Sequence, residues 1–284
     1  MTAVMAQMFA GREPLNEETA FDIEFTDEHI VDGIYCQVQF EITPRAGFDA
    51  VGVDWGDGTK QDWPKASRTM AHNWSARGRY RVKFDRRLRW FRLTTAYAIY
   101  TGTSNVRAVV RPYVEPIMWG DFVESAQGTY CGWRGLRGTV PKWGKSITTA
   151  FCCYQGGSNL TGGFPKWGPS ITDCTAAFDG CTGLAGAIPA WPKAATDCDQ
   201  CYQYTGASGI IPAWPETMAS ARSCYQGCVD LTGAWTDDPA LLMPETMGGQ
   251  TGAVTCHDDV VKDAGEALRA LFYEDWGGTR QRPQ

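Results

Sequence analysis

From Phe21 onward, apolar and polar residues alternate in short runs. Phe21-Asp-Ile23-Glu-Phe25 sets rings and aliphatic groups on one face and acids on the other. Tyr35-Cys-Gln-Val38-Gln-Phe40-Glu-Ile42, Val51-Gly-Val53-Asp-Trp55, Tyr80-Arg-Val82-Lys-Phe84 and Leu88-Arg-Trp90-Phe91-Arg-Leu93 continue the pattern, and Val106-Arg-Ala108-Val-Val110 is a sixth run. Period two is the strand period, and Gly56-Asp57-Gly58-Thr59 after the third run is a strong turn signal. Residues 21–112 therefore predict an antiparallel β-sandwich. Residues 1–20, with no sustained period, read as an N-terminal arm.

The second half changes rhythm. Val140-Pro141-Lys142-Trp143, Phe164-Pro165-Lys166-Trp167, Ile188-Pro189-Ala190-Trp191 and Ile211-Pro212-Ala213-Trp214 recur at spacings of 24, 24 and 23 residues. Units laid in register begin at Glu124, Thr148, Thr172, Thr196 and Ala219, giving spans near 124–147, 148–171, 172–195, 196–218 and 219–247. Their seventh position is always aromatic: Tyr130, Tyr154, Phe178, Tyr202 and Tyr225. Leu136, Leu160, Leu184 and Leu231 share another position. Such self-similarity predicts a solenoid over residues 113–247, in which equal positions stack and each unit buries its apolar edge on its neighbours. Parallel strands, if each unit contributes one, would set the columns about 4.7–4.9 Å apart. Past the glycine-rich break at residues 248–252, Val261, Ala264, Leu268, Leu271 and Phe272 fall at helical spacing. The segment 248–284 is expected to be a helical cap and tail, so the fold class is mainly β with one short C-terminal helix.

Hydrophobic residues make up 43% of the 284 residues, enough for a packed core. The net charge of −6 is uneven: residues 1–112 hold 15 Lys/Arg against 14 Asp/Glu, and residues 113–284 hold 11 against 18. An acidic repeat half argues against a grip on nucleic acid. No apolar run reaches the length of a membrane span, and no secretion signal is evident at Met1–Ala10. Nine of the eleven cysteines lie in the repeats, which ties them to the repeat pattern rather than to a secreted disulfide framework.

Two resemblances follow from these motifs. Val51-Gly-Val-Asp-Trp-Gly-Asp-Gly-Thr59, His72-Asn-Trp74 and Gly78-Arg-Tyr80-Arg-Val82 together resemble a PKD domain, with Trp74 where that family usually has tyrosine. The resemblance implies an Ig-like spacer or binding platform and no catalysis. Phe178-Asp-Gly-Cys181-Thr-Gly-Leu184-Ala-Gly-Ala-Ile188-Pro189 and Tyr225-Gln-Gly-Cys228-Val-Asp-Leu231 resemble leucine-rich repeats of the BspA type, found in bacterial and phage surface proteins. The regular Pro-x-Trp insertion departs from common members of that group.

Candidate chemistry is sparse. Cys198-Asp-Gln-Cys201 has zinc-knuckle spacing, yet Cys198 shares a repeat position with Cys174, and Cys201 with Cys153 and Cys224. Register therefore accounts for them as buried rungs, with no metal or cofactor implied; disulfides at Cys174/Cys198 and Cys201/Cys224 stay open. Asp57 reads as a turn former, with His72 bonding the turn that carries it. Arg79, Arg81 and Lys83 fall on one strand face, either solvated or offered to an anionic partner. Trp143, Trp167, Trp191 and Trp214 form a column that serves recognition if it faces outward and core if inward. The expected function is a non-enzymatic structural protein of a virion surface, such as a phage decoration, fibre or receptor-binding component. Its partners would be other virion or surface proteins, or a host glycan or protein, within an oligomeric assembly. The alternatives are a bacterial cell-surface adhesin and the accessory binding modules of a carbohydrate-active enzyme.

Overall fold

The computed structural model describes residues 16–29, 34–66, 69–100, 106–109, 111–228 and 231, and these form a mainly β protein with no helix among them. The expected helical cap, the segment 232–247 and most of the N-terminal arm lie outside the described residues. No helix among the described residues is long and apolar enough to cross a membrane.

Nine strands build two antiparallel sheets: β1 (Thr19–Phe25), β2 (Ile34–Pro44), β3 (Ala50–Asp54), β4 (Lys60–Pro64), β5 (Thr69–Trp74), β6 (Gly78–Phe84), β7 (Leu88–Tyr100), β8 (Val106–Val109) and β9 (Tyr113–Met118). The first sheet runs β4-β3-β6-β1-β9 and the second β5-β2-β7-β8. Their inner faces meet: Phe21 of β1 lies 6.1 Å from Phe40 of β2, and Phe84 of β6 lies 4.8 Å from Phe91 of β7, ring centre to ring centre. All six sequence-read runs are strands. Three further strands escape the alternation rule. β4 is a polar edge strand ending at Pro64, and β9 carries Pro116 inside it; both features demote a run in a pattern reading. β1 begins at Thr19, inside the expected arm, and β9 extends the sheet past the expected boundary at residue 112.

In the repeats, residues one unit apart lie side by side. N–H groups at the third, fifth, seventh and ninth positions donate to carbonyls of the next unit. Ala150, Cys152, Tyr154 and Gly156 thus reach Asp173, Thr175, Ala177 and Asp179, and all sixteen such bonds across four junctions measure 2.7–3.0 Å. The N–H groups in between close turns within the unit, as Cys153 to Ala150 and Gly157 to Tyr154. Both turns place a left-handed residue third, as a type II turn demands. The fifth position accordingly has positive φ in every unit (Gly128, Cys152, Ala176, Gln200, Ser223), and so has the ninth (Gly132, Gly156, Gly180, Tyr204, Gly227). Regular strands are confined to two short parallel pairs: β10 (Arg137–Gly138) with β11 (Asn159–Leu160), and β12 (Ala185–Ala187) with β13 (Gly206–Ser208). Much of each unit is therefore a chain of turns, fully bonded to its neighbours.

The first unit is seated on the two sheets by the same kind of bonds. Glu124 N–H donates to the Arg89 carbonyl at 3.0 Å, Leu93 N–H to Thr129 at 3.0 Å, and the Thr129 hydroxyl to Phe91 at 2.8 Å. On the other side Val114 of β9 bridges Leu136 in parallel, with Val114 N–H on the Gly135 carbonyl at 2.9 Å. A Cβ on Gly135 would sit 2.3 Å from the Pro112 carbonyl oxygen, so this junction accepts only glycine. One hydrophobic core runs unbroken from Phe21 to Leu231.

Candidate functional site

The seventh-position rings form a continuous buried column. Tyr130, Tyr154, Phe178, Tyr202 and Tyr225 follow one another at 5.5, 5.9, 5.7 and 6.0 Å, stacked throughout. The spacing exceeds a strand separation because these rings hang from turns. The column ends on the sheets, where Phe91 meets Tyr130 edge-on at 5.8 Å.

The tryptophans form a second column beside it. Trp143, Trp167, Trp191 and Trp214 are stacked at 5.5, 6.1 and 5.2 Å, and Trp119 heads them, 6.2 Å from Trp143. Trp119 precedes Trp143 by 24 residues, and both precede a glycine, which is the signal that would have extended the column in the sequence. Trp143 and Trp191 are buried, while Trp167 and Trp214 are half-buried. Their ring faces are spent on one another, so few are left for a sugar. Two hydrogen bonds tie the columns together: Trp119 Nε1–H to the Tyr154 hydroxyl at 2.9 Å and Trp167 Nε1–H to the Tyr202 hydroxyl at 3.1 Å. Trp143 is the next in this series, but its counterpart is Phe178, and its buried N–H has no partner.

The repeat cysteines sit in the same interior. Cys181 and Cys228 donate to the carbonyls of Tyr154 and Tyr202, one unit back, at 3.1 and 3.0 Å, whereas Thr205, at the same position of the unit between, donates to Tyr202 of its own unit at 2.8 Å. Cys174 N–H donates to the Asp197 carbonyl at 2.7 Å, which sets Cys174 beside Cys198. Burial pushes the Cys181 thiol up to about 12 and those of Cys198 and Cys201 well above the usual range, so all stay protonated at neutral pH. Among the described residues no group of three or more His, Cys, Asp or Glu side chains is placed to hold a metal ion.

Arg79, Arg81 and Lys83 do share one face of β6, and acids from β1, from the residue before it and from β9 face them. Asp22 of β1, itself buried, accepts from Arg79 at 2.7 Å and from Arg81 at 2.7 and 3.0 Å. Glu115 takes Arg79 at 2.6 Å, and Glu18 takes Lys83 at 3.0 Å. Burial raises the Asp22 carboxyl, but hydrogen bonds from Arg81 and Arg79 outweigh it and hold its pKa below the usual range. The face is a ladder of ion pairs. Beside it an open cleft of about 450 Å³ is lined by Gly52, Asp54, Lys60, Asp62, Lys83 and Phe84.

The Asp57 turn is locked as expected. Its carboxylate accepts from Thr59 N–H at 3.0 Å and the Thr59 hydroxyl at 2.6 Å, while its second oxygen meets His72 Nε2 at 2.7 Å. His72 lies flat on Trp55 at 4.3 Å. The hydroxyl in this group bonds the carboxylate rather than the imidazole, so the arrangement fastens a turn and activates no nucleophile.

Outside, the repeats carry polar columns. Thr148, Thr172 and Thr196 each bond the carbonyl one unit back, at 3.0, 3.1 and 3.2 Å. Gln155 bonds Asp179 at 2.9 Å, and the buried Gln203 bonds Gln226. Comparison with protein-family models, with curated proteins and with solved structures finds no match to this chain.

Proposed function

We propose that this chain is a non-enzymatic scaffold of a virion surface: a PKD-like sandwich that caps one end of a leucine-rich-type solenoid. The observation that carries the reading is the unbroken aromatic column, from Phe91 through Tyr130 to Tyr225, backed by bonds from every unit to the next. That construction commits side chains to rigidity and leaves an exterior of polar columns interrupted by the exposed Phe151, Tyr204 and Ile210, which suits docking against other proteins more than turnover. The resemblance of both halves to modules of bacterial and phage surface proteins supports the same reading. Because the indole faces are stacked inward, recognition would fall to the Thr148/Thr172/Thr196 column and its neighbours rather than to the tryptophans.

Gold-labelled antibody against the chain, applied to intact particles and to host cells, tests the placement. Label on particles supports it. Label confined to the cell envelope would replace it with the adhesin reading, and hydrolysis of a glycan panel abolished by a single carboxylate substitution would overturn the non-enzymatic one.

A further inference from the structure

Two thiols stand apart from the buried rungs. Gly128 N–H on the Phe151 carbonyl at 2.8 Å and Tyr130 N–H on the Cys153 carbonyl at 2.9 Å hold the first unit against the second. This register brings Cys131, at the eighth position of one unit, near Cys152, at the fifth of the next; the Cys131 thiol donates to Gln155 Oε1 at 3.3 Å, and the two sulfurs are close enough to interact electrostatically. Cys131 is exposed and Cys152 half-buried, whereas the other eight described cysteines are buried. Column packing does not account for either. The eighth position is otherwise Gln155, Asp179, Gln203 and Gln226, and the fifth is Gly128, Ala176, Gln200 and Ser223.

We propose that Cys131 and Cys152 are a modification site that closes to a disulfide on oxidation, clipping the first unit to the second at the surface. The oxidant is a small-molecule disulfide of the glutathione class. The Cys131 thiolate attacks one of its sulfurs, forming a mixed disulfide and releasing one glutathione thiolate. Cys152, deprotonated by solvent base, then attacks the Cys131 sulfur and expels the second. Two protein thiols are oxidised and one small disulfide is reduced to two thiols. Cys131 reacts first because it is the exposed partner. Burial pushes Cys152 up to about 12 and raises Cys131, so the reaction is slow at neutral pH and speeds as pH rises.

The full folded chain is incubated with glutathione disulfide at pH 7 and pH 9, alkylated without unfolding, digested and read by mass spectrometry. The expected result is a linked peptide containing Cys131 and Cys152, formed faster at pH 9, reversed by dithiothreitol and accompanied by a higher melting temperature. Cys131→Ser and Cys152→Ser should each abolish the link and the melting shift while the reduced proteins melt as wild type. A glutathione adduct that persists on Cys131, a link to Cys153 instead, or no reaction at either pH would overturn the proposal.

Discussion

The indole N–H of Trp119 donates to the hydroxyl of Tyr154 across 2.9 Å of buried interior, though 35 residues separate them. Trp167 and Tyr202 repeat the bond two units on; Trp143, between them, faces Phe178, which has no hydroxyl, and Trp191, the next indole, is likewise without a partner for its N–H. Phe178→Tyr should therefore supply the missing acceptor to Trp143 and raise stability by about 0.5–1.5 kcal/mol. Tyr154→Phe should strand the Trp119 N–H and cost about 1–3 kcal/mol. Thermal melts of the two variants, moving in opposite directions, check the pairing.

Truncating the column is a harsher change. Phe178 is fully buried between Tyr154 and Tyr202, so Phe178→Ala should cost about 3–5 kcal/mol in denaturant unfolding. An unchanged midpoint would remove Phe178 from the core.

The column and six of the nine sandwich strands were legible in the sequence because a ring about every 24 residues and a period of two both leave a direct trace. The turns were not. At the fifth position the left-handed residues are Gly128, Cys152, Ala176, Gln200 and Ser223, and only the first announces its conformation. Nor does any local pattern pair Val114 with Leu136 or Glu124 with Arg89, since contacts between the sheets and the first repeat depend on the assembled fold. Likewise the basic face of β6 looked open because its answering acids, Asp22 and Glu115, lie far away in sequence.

Backbone chemistry at the turns gives a paired expectation. Gly180 has φ of 72°, and an added Cβ would meet Gly156 Cα at a comfortable 3.6 Å, so Gly180→Ala tests conformation alone. It should cost about 1–2 kcal/mol, while Gln200→Gly, at an exposed position with φ of 57°, should gain up to about 1 kcal/mol. Chemical denaturation of both variants measures the difference.

The Asp22 ladder carries a pH dependence. Its folded pKa is depressed, so its contribution is fully present above the unfolded value of about 4 and is lost as pH falls through the folded value. Asp22→Asn should cost about 1–3 kcal/mol at pH 7, and its stability should change less than wild type's between pH 5 and pH 2. Arg81→Glu, which sets a carboxylate against Asp22, should destabilise rather than merely alter the surface. Melting across that pH range reads both effects.

The central claim is that the units are equivalent rungs of one stack seated on the two sheets. Deleting residues 172–195 removes one whole unit and rejoins Ile171 to Thr196, which would bring Tyr202 onto Tyr154 in the same register. The deletion chain should melt cooperatively with native-like near-ultraviolet dichroism, at a lower temperature than the parent, whereas deleting only residues 172–183 should abolish the transition. If removing the whole unit unfolds the protein as completely as removing half of it, the units are not interchangeable and the stack is wrong.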